Sequence, residues 1–134
     1  MKTPEILCKI EAYGAVNPSE DPEKVKLAIS NVMVDAAYEY KDGSIKATSR
    51  NLRSLSRIQE TIQSRRANRV YRRQMRFNTK GDTTWFYLNK QAALVNVIAI
   101  CDEAEESPMG PIKMIIHSQD IEQVIDWLAP EYLK

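Results

Sequence analysis

The chain has one histidine, two cysteines and four glycines in 134 residues, and each scarcity narrows the chemistry open to it. With His117 as the sole imidazole, no histidine pair exists at metal-ligand spacing, and no Ser or Cys nucleophile motif surrounds it, so His117 reads as a polar residue on an edge strand. Cys8 and Cys101 sit in apolar, strand-like surroundings without a second ligand nearby, which suits buried reduced thiols rather than a disulfide or a metal site. The glycines do not form a phosphate-cradling loop. No apolar run approaches the roughly 20 residues that cross a bilayer, and Met1 to Glu5 lacks the basic start and apolar middle of a signal peptide. The expectation is a cytoplasmic protein with no membrane partner, no cofactor and no metal.

Arginine is the most telling absence, because no arginine stands before Arg50 or after Arg76. Between Arg50 and Lys80 lie Arg50, Arg53, Arg57, Arg65, Arg66, Arg69, Arg72, Arg73, Arg76 and Lys80 against the single acid Glu60, a net charge of +9. Residues 1–49 contribute −2 and residues 81–134 contribute −6, so the whole-chain value of +1 conceals a strong asymmetry. Such asymmetry points to an anionic partner. Arginine is also a specific choice, since its planar fork pairs with phosphate through two hydrogen bonds and stacks on flat rings, which lysine cannot do.

Spacing decides whether these cations act together. Leu52, Leu55, Ile58 and Ile62 recur at three and four, the mark of one buried helical stripe, with Arg50, Arg53 and Arg57 on another face. Arg65, Arg69, Arg72 and Arg76 continue at steps of four, three and four, with Arg66 and Arg73 beside them, and form a ridge. The apolar stripe thins after Ile62 to Ala67, Val70 and Phe77, which predicts a break between Ser64 and Asn68 and two helices rather than one. Nine net positive charges repel one another, and three readings offset that cost: a polyanion, an acidic protein surface such as that of a second subunit, or plain solvation.

The remaining chain, expected to be a single domain over 1–134, alternates sheet and helix signals. Residues 5–16 alternate as a strand, with Ile6, Cys8, Ile10 and Ala12 on one side and Leu7, Lys9, Glu11 and Tyr13 on the other. Asp21 caps a helix that has Pro22 at its first position and Val25, Ala28, Ile29, Val32 and Met33 inside. Two strands, Ala37 to Tyr40 and Ser44 to Arg50, flank the hairpin pair Asp42-Gly43. Thr83 to Leu88 is the most strand-prone run: Phe86 and Leu88 share one face, Trp85 and Tyr87 the other. If that second face is open, Trp85 and Tyr87 are candidates for stacking on bases; if covered, they are core or subunit interface. Asn89 caps a short helix from Lys90 to Val95, and a strand follows around Val97 to Asp102. Ile112, Met114 and Ile116 alternate in a closing strand. In the last helix Asp120 and Gln123 form a reciprocal cap, Ile121, Val124, Ile125 and Leu128 form the stripe, and Pro130 stops it. The acidic loop Asp102, Glu103, Glu105 and Glu106 is the one cluster with catalytic possibilities, as a magnesium-holding set, although a solvated loop is the commoner reading. The order of elements suits an α+β two-layer sandwich, with a mixed or mostly antiparallel sheet of about six strands and helices mainly on one face.

Three separated runs carry a family resemblance: Thr83-Thr84-Trp85-Phe86-Tyr87-Leu88-Asn89-Lys90-Gln91-Ala92-Ala93, Glu106-Ser107-Pro108-Met109-Gly110-Pro111-Ile112, and Ile125-Asp126-Trp127-Leu128-Ala129-Pro130. With Asp21-Pro22-Glu23-Lys24-Val25 after the first strand, the chain resembles an archaeal family of uncharacterised conserved proteins that carries an RNA-binding label. That family's fold is similar to the large-subunit ribosomal protein that binds 5S rRNA. The run Ser64-Arg65-Arg66-Ala67-Asn68-Arg69-Val70-Tyr71 departs from the family, which has a Gln-Arg-Ile-type run followed by small residues and leucines there. The resemblance implies RNA, with DNA left open as a substitute, and the ten cations from Arg50 to Lys80 are the expected phosphate contacts. The alternative is a homodimer or larger assembly in which the ridge docks on the acidic carboxyl-terminal half of another copy.

Overall fold

A computed structural model describes residues 3–131. Six strands form one antiparallel sheet in the order β2-β3-β1-β6-β4-β5, comprising β1 (Lys9–Ala15), β2 (Ala37–Lys41), β3 (Ser44–Ser49), β4 (Thr83–Leu88), β5 (Ile100–Cys101) and β6 (Ile112–His117). The helices are α1 (Pro22–Ser30), α2 (Ser56–Ser64), α3 (Asn68–Asn78), α4 (Lys90–Leu94) and α5 (Ile121–Leu128), with a 3₁₀ turn over Leu52–Leu55 leading into α2. This is the two-layer α+β sandwich that the alternating strands imply.

The registers explain the layering. Ile10 and Ala12 of β1 stand opposite Ile116 and Met114 of β6, which stand opposite Thr84 and Phe86 of β4, so one face of the sheet is a continuous apolar surface. Helix α1 lies on that face directly above Gly14, where an added Cβ would sit 3.1 Å from Val25 Cγ1 and 3.3 Å from Ile29 Cδ1. Tyr71 of α3 meets Phe86 edge-on, with ring centroids 5.7 Å apart. The stripes Val25, Ala28 and Ile29, Leu52, Leu55, Ile58 and Ile62, and Ile121, Val124, Ile125 and Leu128 all enter the same core. Asp21 caps α1 by accepting from the Glu23 N–H, Asn89 caps α4 by accepting from the Ala92 N–H, and Asp42 (φ 53°) and Gly43 (φ 75°) make the expected hairpin turn.

Several local expectations are corrected. The first strand begins at Lys9, so Ile6 and Cys8 lie ahead of it. The strand around Val97 to Asp102 shrinks to Ile100–Cys101, because the Val97 N–H returns to Ala92 O to close α4. Asp120 makes no side-chain cap; its own N–H donates to Ser118 Oγ instead. β6 lies between β1 and β4, so His117 ends an inner strand rather than an edge one, with Nε2 2.9 Å from Glu11 Oε1. In α3 the buried residues are Tyr71 and Met75, whereas Val70 is only partly buried and Phe77 is 86% exposed.

Candidate nucleic-acid interface

The break between α2 and α3 organises the basic segment. Helix α2 ends in a Schellman pattern, with the Ala67 N–H donating to Ile62 O at 2.9 Å and the Arg66 N–H to Gln63 O at 3.3 Å. That pattern needs a left-handed residue, usually glycine, and here Arg66 supplies it at φ 53°. The helix then restarts in a new phase. Tyr71 and Met75 face the sheet, so Arg69, Arg73 and Arg76 turn outward on the opposite side.

The ten cations fall into separate groups. Arg66, Arg69, Arg72, Arg73 and Arg76 line one open cleft of about 800 Å³ with Asn68 and Glu131. Arg57 and Arg65 line a second of about 330 Å³ beside Asn96, where Arg57 Nη1 donates to Asn31 O at 3.1 Å. Arg50 and Arg53 border a third of about 470 Å³ against Thr3 to Leu7. Lys80 stands in the turn into β4, its backbone N–H donating to Thr83 O. The single ridge read from spacing is therefore divided at Arg66, and the five arginines from Arg66 to Arg76 are the ones brought together.

Within that group the roles differ. Arg72 is only 14% exposed in its side chain; Nη2 lies 2.8 Å from Asp126 Oδ1 and 3.8 Å from Glu131 Oε1, and Nη1 donates to Ala129 O at 3.0 Å. Arg76 Nη1 lies 2.8 Å from Glu122 Oε1. These two arginines tie α3 to α5. Arg66, Arg69 and Arg73 are exposed and pair with no carboxylate among the described residues.

Trp85 and Tyr87 stand on the sheet face turned away from the helices, and that face is open: Tyr13, Trp85, Tyr87, Lys113 and Ile115 are all partly exposed. The two rings touch each other, and a lysine already covers the indole. Trp85 and Tyr87 lie 5.0 Å apart between centroids at 57°, and Lys113 Nζ sits 4.6 Å over the Trp85 ring. At the centre of this face Glu11 is buried beneath Lys9, Lys46, Tyr13 and His117, with Lys46 Nζ 3.2 Å and Lys9 Nζ 3.5 Å from Oε2. Burial pushes its carboxyl up, but the bonds from His117 and Lys46 and the charges of Lys9 and Lys46 outweigh this and hold it below the usual carboxylate range.

The acidic loop does not converge. Glu106 Oε1 accepts the Asp102 N–H at 3.1 Å, Asp102 Oδ1 accepts from Gln74 Nε2 at 2.9 Å, and among the described residues no three carboxylate, thiol or imidazole groups form a metal cage. Both cysteines are buried and free, and burial raises both thiols. No described helix is long and apolar enough to cross a membrane.

Sequence reasoning missed Lys90. Its ammonium is buried, 4% exposed in the side chain, and all three donors are used: Ala15 O at 2.8 Å, Met109 O at 2.7 Å and Glu20 Oε1 at 3.0 Å. Position 90 follows the cap Asn89 at a helix start, so nothing local marks the lysine as buried.

A two-layer α+β protein with an arginine-lined cleft on its helical layer defines the class, and comparison with known proteins defines the family. A family model described as RNA binding matches residues 9–118, and the chain belongs to that family. It is 37% identical over 123 residues to a UPF0201 protein of Methanothermobacter thermautotrophicus, covering 92% of each chain. It is 39% identical over 132 residues to a UPF0201 protein of Sulfurisphaera tokodaii, covering 96% of this chain and 91% of that one. Among solved structures, an uncharacterised UPF0201 protein superposes with a TM-score of 0.78 at 32% identity, over 92% of this chain and 94% of the other. The UPF0201 protein of Methanococcus jannaschii gives 0.79 at 26% identity, over 93% and 95%.

Proposed function

We propose that the protein is a non-catalytic RNA-binding module that holds phosphates in the cleft between α3 and the carboxyl-terminal segment. The observation that carries this reading is the grouping of Arg66, Arg69 and Arg73 around one open cleft with no carboxylate partner among the described residues. Arg72 and Arg76 complete the positive wall while bonded to α5, and Arg50, Arg53, Arg57, Arg65 and Lys80 extend the field around it. The family's RNA-binding description supports the choice of polyanion. Phosphate contacts position a nucleic acid without reading its sequence, so DNA of the same form competes wherever the 2′-hydroxyl is not touched. Trp85 serves as a stacking residue only if Lys113 moves off the indole, whereas Tyr87 has no cation over its ring among the described residues.

The test is titration of labelled single-stranded RNA, structured RNA and matching DNA at two salt concentrations. With about five phosphates neutralised, raising salt from about 50 to 200 mM weakens single-strand binding by on the order of a hundredfold. Changing Arg66, Arg69 and Arg73 together to Ala removes most of the binding. Affinity that ignores salt, or a triple variant that binds like the parent, sinks the reading.

The alternative, a ridge docked on the acidic half of a second copy, has part of its ionic contacts taken within one chain, where Arg72 and Arg76 already meet Asp126 and Glu122, which leaves Arg66, Arg69 and Arg73 to make it. It predicts a mass above that of one chain that falls as salt rises, with no nucleic acid present.

A further inference from the structure

Phe77 is the most exposed aromatic residue among the described ones, ahead of Tyr40 at 58%, and the only one of the two on the basic helix α3. The residue is 86% exposed, although helix α3 buries Tyr71 and Met75 and had no need of a phenyl group on its solvent side. Among the described residues no aromatic ring stacks on it and no cation lies over it, in contrast to Trp85, Tyr13 and Tyr38, each of which has a lysine ammonium above its face. Its neighbours in the chain are basic: Arg73 one helical turn before it, Arg76 beside it and Lys80 just after the helix ends. One turn before Phe77, Gln74 holds Asp102 at 2.9 Å, and beside Phe77 Arg76 is paired with Glu122 at 2.8 Å, which leaves Arg73 and Lys80 as its unpaired basic neighbours among the described residues.

Resting on the RNA reading above, we propose that Phe77 is a stacking platform for an unpaired base whose flanking phosphates lie on Arg73 and the neighbouring arginines of α3. An unpaired nucleotide presents a flat π face and an anionic linker a few ångströms apart, and a phenyl group one turn from a guanidinium matches both. A duplex keeps its bases stacked inside and offers no such face. The ligand class that fits Phe77 is therefore single-stranded or looped RNA.

The experiment compares the parent with Phe77→Leu, Phe77→Ala and Phe77→Tyr, using one single-stranded RNA that carries 2-aminopurine and one blunt RNA duplex. An exposed side chain is changed, so circular dichroism and thermal unfolding should match across the set. The Leu and Ala variants are expected to lose on the order of tenfold in single-strand affinity, Tyr to retain it, and duplex affinity to move by less than about twofold. The parent should quench 2-aminopurine and the Leu variant should not. The salt dependence of all four should be the same, because no charge is removed. Full single-strand affinity in Leu and Ala overturns the stacking role while leaving the phosphate reading intact. An equal loss on duplex, or a shift in molecular mass without a change in affinity, also overturns it and makes Phe77 a protein contact. No RNA binding by the parent overturns both.

Discussion

Arg72 and Asp126 are joined at 2.8 Å across α3 and α5, so Arg72, with Arg76 on Glu122, works as a structural clasp while Arg66, Arg69 and Arg73 meet no carboxylate among the described residues. The clasp also closes the end of α5, because the same guanidinium donates to Ala129 O at 3.0 Å.

Substitutions should separate these roles. Arg72→Ala is expected to cost about 1 to 2 kcal/mol, with the exposed side of Asp126 keeping the value modest. Arg69→Ala and Arg73→Ala should stay within about 0.5 kcal/mol of the parent. Urea unfolding checks both, and equal losses at all three positions would contradict the division.

Arg66 occupies a left-handed site at φ 53° that glycine fills at lower steric cost. Arg66→Gly should raise stability by about 0.5 to 1 kcal/mol while weakening nucleic-acid binding. Thermal unfolding and the same titrations read the two effects separately, and a destabilised glycine variant would show that the side chain supports the fold instead.

Lys90 joins the end of β1, the turn at Glu20 and the loop at Met109. Lys90→Met keeps the stem but takes a donor from Ala15 O and Met109 O and leaves the Glu20 carboxylate, bonded only by Asn17, without its counter-charge, so a loss of about 3 to 5 kcal/mol is expected. Adding Glu20→Gln should recover part of it, since the uncompensated charge is then gone. A Met variant as stable as the parent would mean that water replaces the ammonium.

Acid should loosen the protein through Glu11 and Glu20. Burial pushes Glu20 up, but the Asn17 backbone and Lys90 outweigh it and hold it low, as the bonds from His117 and Lys46 do for Glu11. The folded state thus binds fewer protons than the unfolded one near the ordinary value of 4.5. Their contribution is complete above that pH and is lost as pH falls through the lowered folded values. Glu11→Gln should fall less steeply below pH 4.5 than the parent when urea midpoints are followed. Parallel curves would remove Glu11 from the account.

Most of the architecture was legible because it rests on local rules. Alternation in Ile112, Met114 and Ile116, the Asp21 cap and the Asp42-Gly43 turn each act over a few residues, and the thinning stripe after Ile62 gave the helix break. The phase of α3 was not legible. A left-handed Arg66 resets the helical rotation, so Phe77, in step with the stripe before the break, emerges in solvent while Tyr71 and Met75 turn inward. The candidate site was half legible for a related reason. Composition located the cations, but Arg72 and Lys90 find their partners through the tertiary fold, at Asp126 and Glu20, where no periodicity reaches.

The break at Arg66 also changes how the charge is laid out on the molecule. A straight helix would have spread the arginines along a rod, whereas the restart gathers Arg66, Arg69 and Arg73 at one cleft of a chain whose net charge is only +1. Such a particle is a dipole more than an ion. On the RNA-binding proposal it should turn before it lands and capture a polyanion cleft-first, with an association rate that drops steeply as salt rises and a dissociation rate that changes far less.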